Sequence, residues 1–204
     1  AQTLGARVLS TLVGSLGDES VLRTCHVALG GEVGRHQIFC AYHGRDAEAY
    51  VNGIQMVRGN ELIDTTLLMD HVEPGGISRE LFKTVVRDSG VGVFQGKIIV
   101  EPFAQKSDGR MMSAALLLSE NAAMNNKPEL EIYADDVVCA HGATCGQPDE
   151  DLLFYLMTRG IPRIEAEALV LRAFLGEALE GLEHPGVVED IEKYIGMWLH
   201  SQVA

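Results

Sequence analysis

From about residue 7 to about residue 145 no segment of this chain carries a helical stripe. After Gln147 helical stripes follow one another to the C-terminus. The first part is a series of short runs such as "RHQIFCAYHG" and "AEAYVNGIQMVRG", rich in β-branched and aromatic residues and punctuated by Gly and Asn, which is strand composition. "LFKTVVRDSGVGVFQGKIIVEPF" holds two more runs about a turn at Asp88-Ser89-Gly90. In the second of these, Phe94, Gly96, Ile98 and Val100 fall on one face. Between Ser113 and Ser119 lies "AALLL", a continuous apolar run suited to a strand buried on both faces. Many short strands without helices allow a sandwich, a barrel or a β-solenoid. The strand spacing is loose and shows no fixed period, so periodicity leaves all three open.

The second part reads as three helices. "PDEDLLFYLMTRG" puts Pro148 at a first helical position and Asp149, Glu150 and Asp151 in the first turn, where the helix dipole favours negative charge. Arg159 falls in the last turn and Gly160 is placed for a left-handed cap. A second helix starts near Pro162, with Ile164, Ala168, Leu171, Leu175 and Leu179 on one face, and ends at Gly181. A third starts near Pro185 and aligns Val188, Ile191, Ile195 and Trp198 or Leu199. The expected division is therefore residues 1–147 and a helical unit of residues 148–204. That unit holds eleven acidic and four basic residues, a solvated face or one that meets a basic partner.

The charge of the whole chain, −13, argues against nucleic acid and anionic membrane as partners, because phosphate binding needs clustered Lys and Arg. No apolar run approaches the length needed to cross a bilayer as a helix. Four cysteines in 204 residues are too sparse for a disulfide scaffold and fit a reducing cytoplasm. The first residues, "AQTLGARVLS", carry neither an initiator Met nor a signal-peptide pattern, which suggests a start inside a longer protein.

The densest chemistry lies in "LEIYADDVVCAHGATCGQ". A structural zinc site needs four ligands, usually in close Cys pairs, and here Cys139 and Cys145 have five residues between them and no second pair follows. On a strand, Cys139 and His141 point to the same side about 7 Å apart. That is far for a nucleophile and its base. It suits two ligands of a shared ion or cluster, with the remaining ligands coming from a second chain. The plain alternative for Cys139 is a small buried hydrophobe. His26, His36, His43 and His71 are scattered, as surface or hydrogen-bonded core residues would be. His184 and His200 lie near helix ends, where they complement the dipole. "GSLGDES" lacks the Gly-rich phosphate-loop pattern, so ATP binding is not expected.

The stretches "SRELFKTVVRDSGVGVFQGKIIVEPFAQKSDGRMMSAALLLSE" and "KPELEIYADDVVCAHGATCGQPDEDLLFYLMTRGI" resemble the SufB and SufD family of iron–sulfur cluster assembly proteins. "CAHGAT" and "LLLSE" are similar to the SufD branch. The SufB branch carries a Glu-rich version of the first element and a further cysteine near "MSAALLL", which this chain lacks. The resemblance covers about His71 to Ile161, weakens towards residue 1, and corresponds to the C-terminal portion of such proteins. It implies a mainly β fold, a right-handed parallel β-helix followed by a small C-terminal α-helical domain, with Phe94, Ile98, Val100, Leu116 and Leu118 turned inward.

The same resemblance implies a non-enzymatic scaffold that pairs with SufB through the β-helix and docks the ATPase SufC through the helical tail. Without SufB, a homodimer is conceivable. No stably bound cofactor is implied, and no metal on the isolated chain. A transient iron–sulfur cluster would form at the SufB interface, near His141 and Cys139, while Cys145 is expected to fill core. Phe154, Tyr155, Val170 and Phe174 are the candidates for the outward SufC contact. Two other classes stay in view. One is a β-helix enzyme acting on polysaccharide, which needs paired carboxylates along one groove; Asp135 and Asp136 are adjacent and would face opposite ways on a strand. The other is a thiol-dependent hydrolase using Cys139 and His141.

Overall fold

The computed structural model describes residues 5–200. Its first part contains β1 Arg7–Leu16, β2 Val21–Leu29, β3 Val33–Tyr42, β4 Glu48–Val57, β5 Leu62–His71, β6 Ile77–Val86, β7 Val91–Val100, β8 Asp108–Leu117, β9 Ala123–Ile132 and β10 Val138–Gly146. Odd strands form one five-stranded parallel sheet, β1-β3-β5-β7-β9, and even strands form another, β2-β4-β6-β8-β10. Each turn of the chain lays one strand on each sheet, which makes a parallel β-helix of five rungs. Of the three all-β architectures open to the sequence pattern, this is the solenoid.

The rungs repeat at a loose interval, as the spacing in the sequence indicated: Arg7 pairs with Val33 at 26 residues and Ile77 with Asp108 at 31. Val33 pairs with Leu62 and Leu62 with Val91, 29 residues apart each time, and Glu48 pairs with Ile77 at the same interval. The interval grows to 32 between Val91 and Ala123, because the corners lengthen while the strands keep register. The signal was in the corners rather than the strands. "VRGNEL" at 57–62 and "VRDSGV" at 86–91 occupy one corner in successive rungs, where Ser89 N–H donates to Gly59 O and Arg87 N–H to Val57 O.

A second corner stacks residues with left-handed backbone. Asp46, Gly75 and Lys106 have φ of 55°, 78° and 65°. Asp46 N–H donates to Pro74 O and Gly75 N–H to Gln105 O. Nearby, Gly44 allows the closest approach of two rungs: an added Cβ would lie 2.0 Å from the Asp18 nitrogen and 2.1 Å from the Gly17 carbonyl carbon. Backbone cannot swing aside as a side chain can. Gly44→Ala is expected to cost about 2–4 kcal/mol in urea unfolding. Gly59→Ala, in open space, should lose only about 1–2 kcal/mol from its positive φ.

The lumen between the sheets is the core. Phe94, Ile98 and Val100 turn inward and are fully buried, as the alternation predicted. Leu116 and Leu118 do not. Strand alternation places Leu116 on the outer face of β8 with Arg110, Met112 and Ala114, and both leucines are half-buried beneath the helices. Polar lumen residues are satisfied in places, as where Gln55 Nε2 donates to Thr65 Oγ1 and Thr84 Oγ1 donates to Gln55 Oε1.

Glu80 is different: it is 2% exposed, with only the Ser78 hydroxyl close to its carboxylate. Burial pushes its pKa up from 4.5 to about 8, against the Ser78 hydroxyl and the nearby Arg79 charge. The folded state therefore keeps a proton that the unfolded chain releases, and Glu80 withdraws stability as pH rises towards 8. Half-buried His26 and buried His71, pushed down to about 4, act in the opposite sense but only below their unfolded value of 6.5. Between pH 6.5 and 8 the Glu80 effect stands clear of both, and should lower stability by about 2 kcal/mol. Glu80→Gln should flatten that slope in urea titrations at each pH.

The second part contains α1 Glu150–Thr158, α2 Arg163–Gly176, a 3-10 turn Glu177–Leu179 and α3 Pro185–His200. The cap of α1 is Asp149, whose side chain accepts from Asp151 N–H and Leu152 N–H. Pro148 therefore precedes the cap and is not the first helical residue, because an Asp side chain answers the orphan N–H groups that a proline would leave open. Gly160 and Gly181, with φ of 86° and 83°, end their segments as the sequence indicated.

The helices lie on the outer face of the even-strand sheet. Leu171, Leu175, Ile195, Trp198 and Leu199 bury Ile54, Met56 and Val85. Asn52 Nδ2 donates to Ala178 O at 2.8 Å, Lys83 pairs with Glu177 at 2.6 Å, and Arg87 stacks over Trp198. Ile164, read as part of the buried stripe, is exposed, while Ala166 in the same turn is fully buried, so the buried face of α2 is turned away from Ile164. Among the described residues no helix is long and apolar enough to cross a membrane.

Candidate functional site

The last rung is built from β9 and β10, and each is an edge strand. β9 pairs only with β7 and β10 only with β8. Unpaired edges are usually blunted or covered; β1 and β2, at the other end of the same two sheets, are edge strands too. Register shows which residues face the lumen. In β10, Cys139 lies over Gly109, His141 over Met111, Ala143 over Ser113 and Cys145 over Ala115, and all four underlying residues are buried. In β9, Leu130 lies over Ile98 and Ile132 over Val100. The terminal rung thus presents core-facing side chains with no further rung above them.

Cys139 is half-buried and packs against the lumen cluster with Leu130 and Val137. Burial raises its pKa. The Gly109 backbone N–H opposes this, while the Asp108 and Glu80 charges add to it. Its thiol is therefore not a ready thiolate. His141 is exposed. The two share one strand face, about 7 Å apart by strand rise. Cys145 is exposed, not core as expected: its register position is lumenal, but no described residue overlies this end of β10. Among the described residues no three His, Cys, Asp or Glu side chains converge tightly enough to hold a metal ion. A thiol and an imidazole on one open edge can serve as a partial ligand set that a facing chain completes.

A patch of exposed apolar side chains surrounds this edge: Ile132, Tyr133, Val138 and, on the preceding rung's corner, Phe103 at 82% exposure. The sequence reading did not single these out. Phe103 sits in "EPFAQK", a corner segment where a large apolar residue has no core to enter, and that mismatch was the available signal. Asp135 and Asp136 are both exposed at the corner before β10, and Asp136 is paired with Lys106.

The helical part carries a second apolar surface. Phe154 and Tyr155 are outward, and Arg159 stacks over the Tyr155 ring. Val170 is half-buried. Phe174 is not outward: it packs on the even-strand sheet, with Lys83 Nζ 4.4 Å from its ring centre. Its place is taken by Ile164 and Leu169, which are exposed and line a cleft of about 540 Å³ with Ala168, Arg172 and Leu199.

The family model described as "SUF system FeS cluster assembly, SufBD core domain" matches residues 2–174. The chain is 40% identical over 171 residues to the iron–sulfur cluster assembly protein SufD of Escherichia coli (strain K12), covering 84% of this chain and 40% of that protein. It is 36% identical over 165 residues to the chloroplastic protein ABCI7 of Arabidopsis thaliana, covering 79% and 34% respectively. Against SufD of Bacillus subtilis (strain 168) it is 35% identical over 138 residues, 68% of this chain and 32% of the relative. The chain thus spans less than half the length of these relatives. With a five-rung parallel β-helix, a helical cover on one sheet, and a family match over most of its length, the chain belongs to the SufBD family of SUF-system iron–sulfur cluster assembly proteins and is of the SufD type.

Proposed function

We propose that this chain acts as a non-enzymatic scaffold. It pairs with a SufB-type partner along the open β9/β10 edge and docks a SufC-type ATPase on its helical tail, and a nascent iron–sulfur cluster is its cargo at Cys139 and His141. The single observation that carries this reading is the terminal rung. It carries a half-buried thiol and an exposed imidazole on an unpaired, apolar-rimmed edge, and those two side chains cannot close a metal site without a second chain. An open half-site also suits release, since separating two chains removes half of the ligands at once. For the ATPase contact, Phe154, Tyr155, Ile164 and Leu169 are the outward residues to test, with Val170 at the margin and Phe174 withdrawn.

The enzyme readings have less behind them. A thiol nucleophile needs a depressed pKa, and burial moves Cys139 the other way. A glycosidase needs two carboxylates across a groove, and Asp136 is instead held by Lys106 on an exposed corner.

His141→Ala is expected to reduce cluster assembly on the complex with SufB- and SufC-type partners, measured as cluster absorbance per purified complex, while complex yield and unfolding midpoint stay near wild type. An exposed imidazole adds little to stability. Cys139→Ala separates the two roles of the thiol: an assembly loss matching His141→Ala makes it a ligand, and no loss makes it packing. Normal assembly by His141→Ala would defeat the cluster reading of this edge.

A further inference from the structure

The corner that carries Phe103 is longer than its neighbours. It runs seven residues, 101–107, between β7 and β8, against five in the corners on either side of it, 72–76 and 133–137. The flanking strands keep register, since Val100 pairs with His71 and Asp108 with Ile77, so the two extra residues are taken up within the corner. Hydrogen bonds hold it in one shape. Ala104 N–H donates to Glu101 O, Gln105 N–H to Phe103 O, Ser107 Oγ to Ala104 O and Gln105 Nε2 to Pro102 O. It is also tied to the terminal corner: Lys106 N–H donates to Asp136 O at 2.7 Å, and Asp136 N–H to Gln105 Oε1 at 2.9 Å.

Both of these corners turn an alanine inward and an aromatic ring outward. Ala104 and Ala134 are buried in the lumen cluster, while the residues before them, Phe103 and Tyr133, are exposed. The preceding corner has Gly75 and Gly76 instead, with no side chain to offer. A lone exposed apolar residue is ordinary on a protein surface. Here two rings on successive corners adjoin exposed Ile132 and Val138, which end β9 and begin β10, so the patch continues onto the open edge. A ring on a loop already locked in shape costs little to order on binding, and rigid aromatic side chains are typical of the few residues that carry an interface.

We propose that Phe103 and Tyr133 are the aromatic anchors of the pairing surface, received by an apolar pocket rimmed with Lys or Arg on the SufB-type partner. The inference rests on the edge pairing proposed above, and adds the residues that hold it and the chemistry of the face that receives them. Charge favours this occupant over a second copy of the chain. Glu101, Asp135 and Asp136 lie on the two corners, and Lys106 offsets only Asp136. Two copies of a chain of net charge −13 would bring like charges together there.

The test is surface plasmon resonance of the whole chain on its immobilised SufB-type partner, with urea unfolding of every variant. Phe103→Ala should raise Kd about 30-fold or more, and Tyr133→Ala about 10-fold or more. Their unfolding midpoints should match wild type, because both rings stand in water. Phe103→Leu, which keeps apolar bulk, should stay within about 10-fold of wild type. Leu9→Ala, at an exposed apolar residue of β1, should bind as wild type does. Asp135→Lys should slow association at low salt, and the deficit should fade as salt rises. If one alanine variant unfolds early, the other decides. A wild-type Kd for the folded alanine variants overturns the anchors and leaves the edge pairing standing. Absence of binding by wild type overturns the pairing and the anchors together. A dimer of the chain that is lost in Phe103→Ala, with partner binding unchanged, assigns the rings to a second copy and also overturns the proposal.

Discussion

Phe82→Ala should lower the unfolding free energy by about 3–5 kcal/mol, a large share of what a domain of this kind possesses. Phe82 is 1% exposed in the middle of the lumen, its ring 4.6 Å from that of Phe94. Its room comes from Gly53 on the neighbouring strand, where an added Cβ would lie 2.3 Å from the Phe82 ring. The pairing supplies an internal control. Gly53→Ala alone overpacks the site and should cost about 1–3 kcal/mol. In the Phe82→Ala background the same methyl enters the vacated space, so the two changes should be strongly non-additive. Urea unfolding of the two single variants and the double variant measures this. A Phe82→Ala cost below about 1 kcal/mol, or simple additivity, would mean the lumen is not packed as described.

The second large effect concerns the helices. A chain ending at Gln147 uncovers Ile54, Met56 and Val85, each fully buried in the intact protein, together with the half-buried Cys25, Val27 and Leu116. An apolar sheet face of that extent does not stay in water unaided. The truncated chain should lose cooperative unfolding or associate, by denaturant titration and light scattering. Trp198→Ala within the full chain should cost about 3–5 kcal/mol, through the same interface. If the shortened chain instead unfolds cooperatively at the original midpoint, residues 1–147 are an independent unit and the helices a dispensable cover. This experiment therefore also tests the division at Gln147, and it warns against using tail removal alone to assign ATPase docking. Point changes at the exposed Phe154 and Tyr155 are the cleaner probe.

Alternation and helical spacing were enough to place several of the strands, the three helices and the inward set Phe94, Ile98 and Val100, because those patterns are local: a residue's neighbours two or four positions away decide its face. The quoted family stretches selected the β-helix where period alone left three choices. Residue type and spacing also put Cys139 and His141 on one strand face. What they could not supply was the environment above that face. Cys145 and Leu116 have the same local appearance as core residues, yet one is exposed and the other lies under the helices. Only the stacking of rungs reveals that β10 has no strand beyond it and that the outer face of β8 is roofed. The same holds for Phe174, drawn under Lys83, and for the meeting of His26 with His36 and Ser10. Those histidines are ten residues apart in the chain and look unrelated there. They meet because successive strands run up one sheet and back down the other, a relation fixed by closure of the solenoid and not by anything within reach of a local pattern.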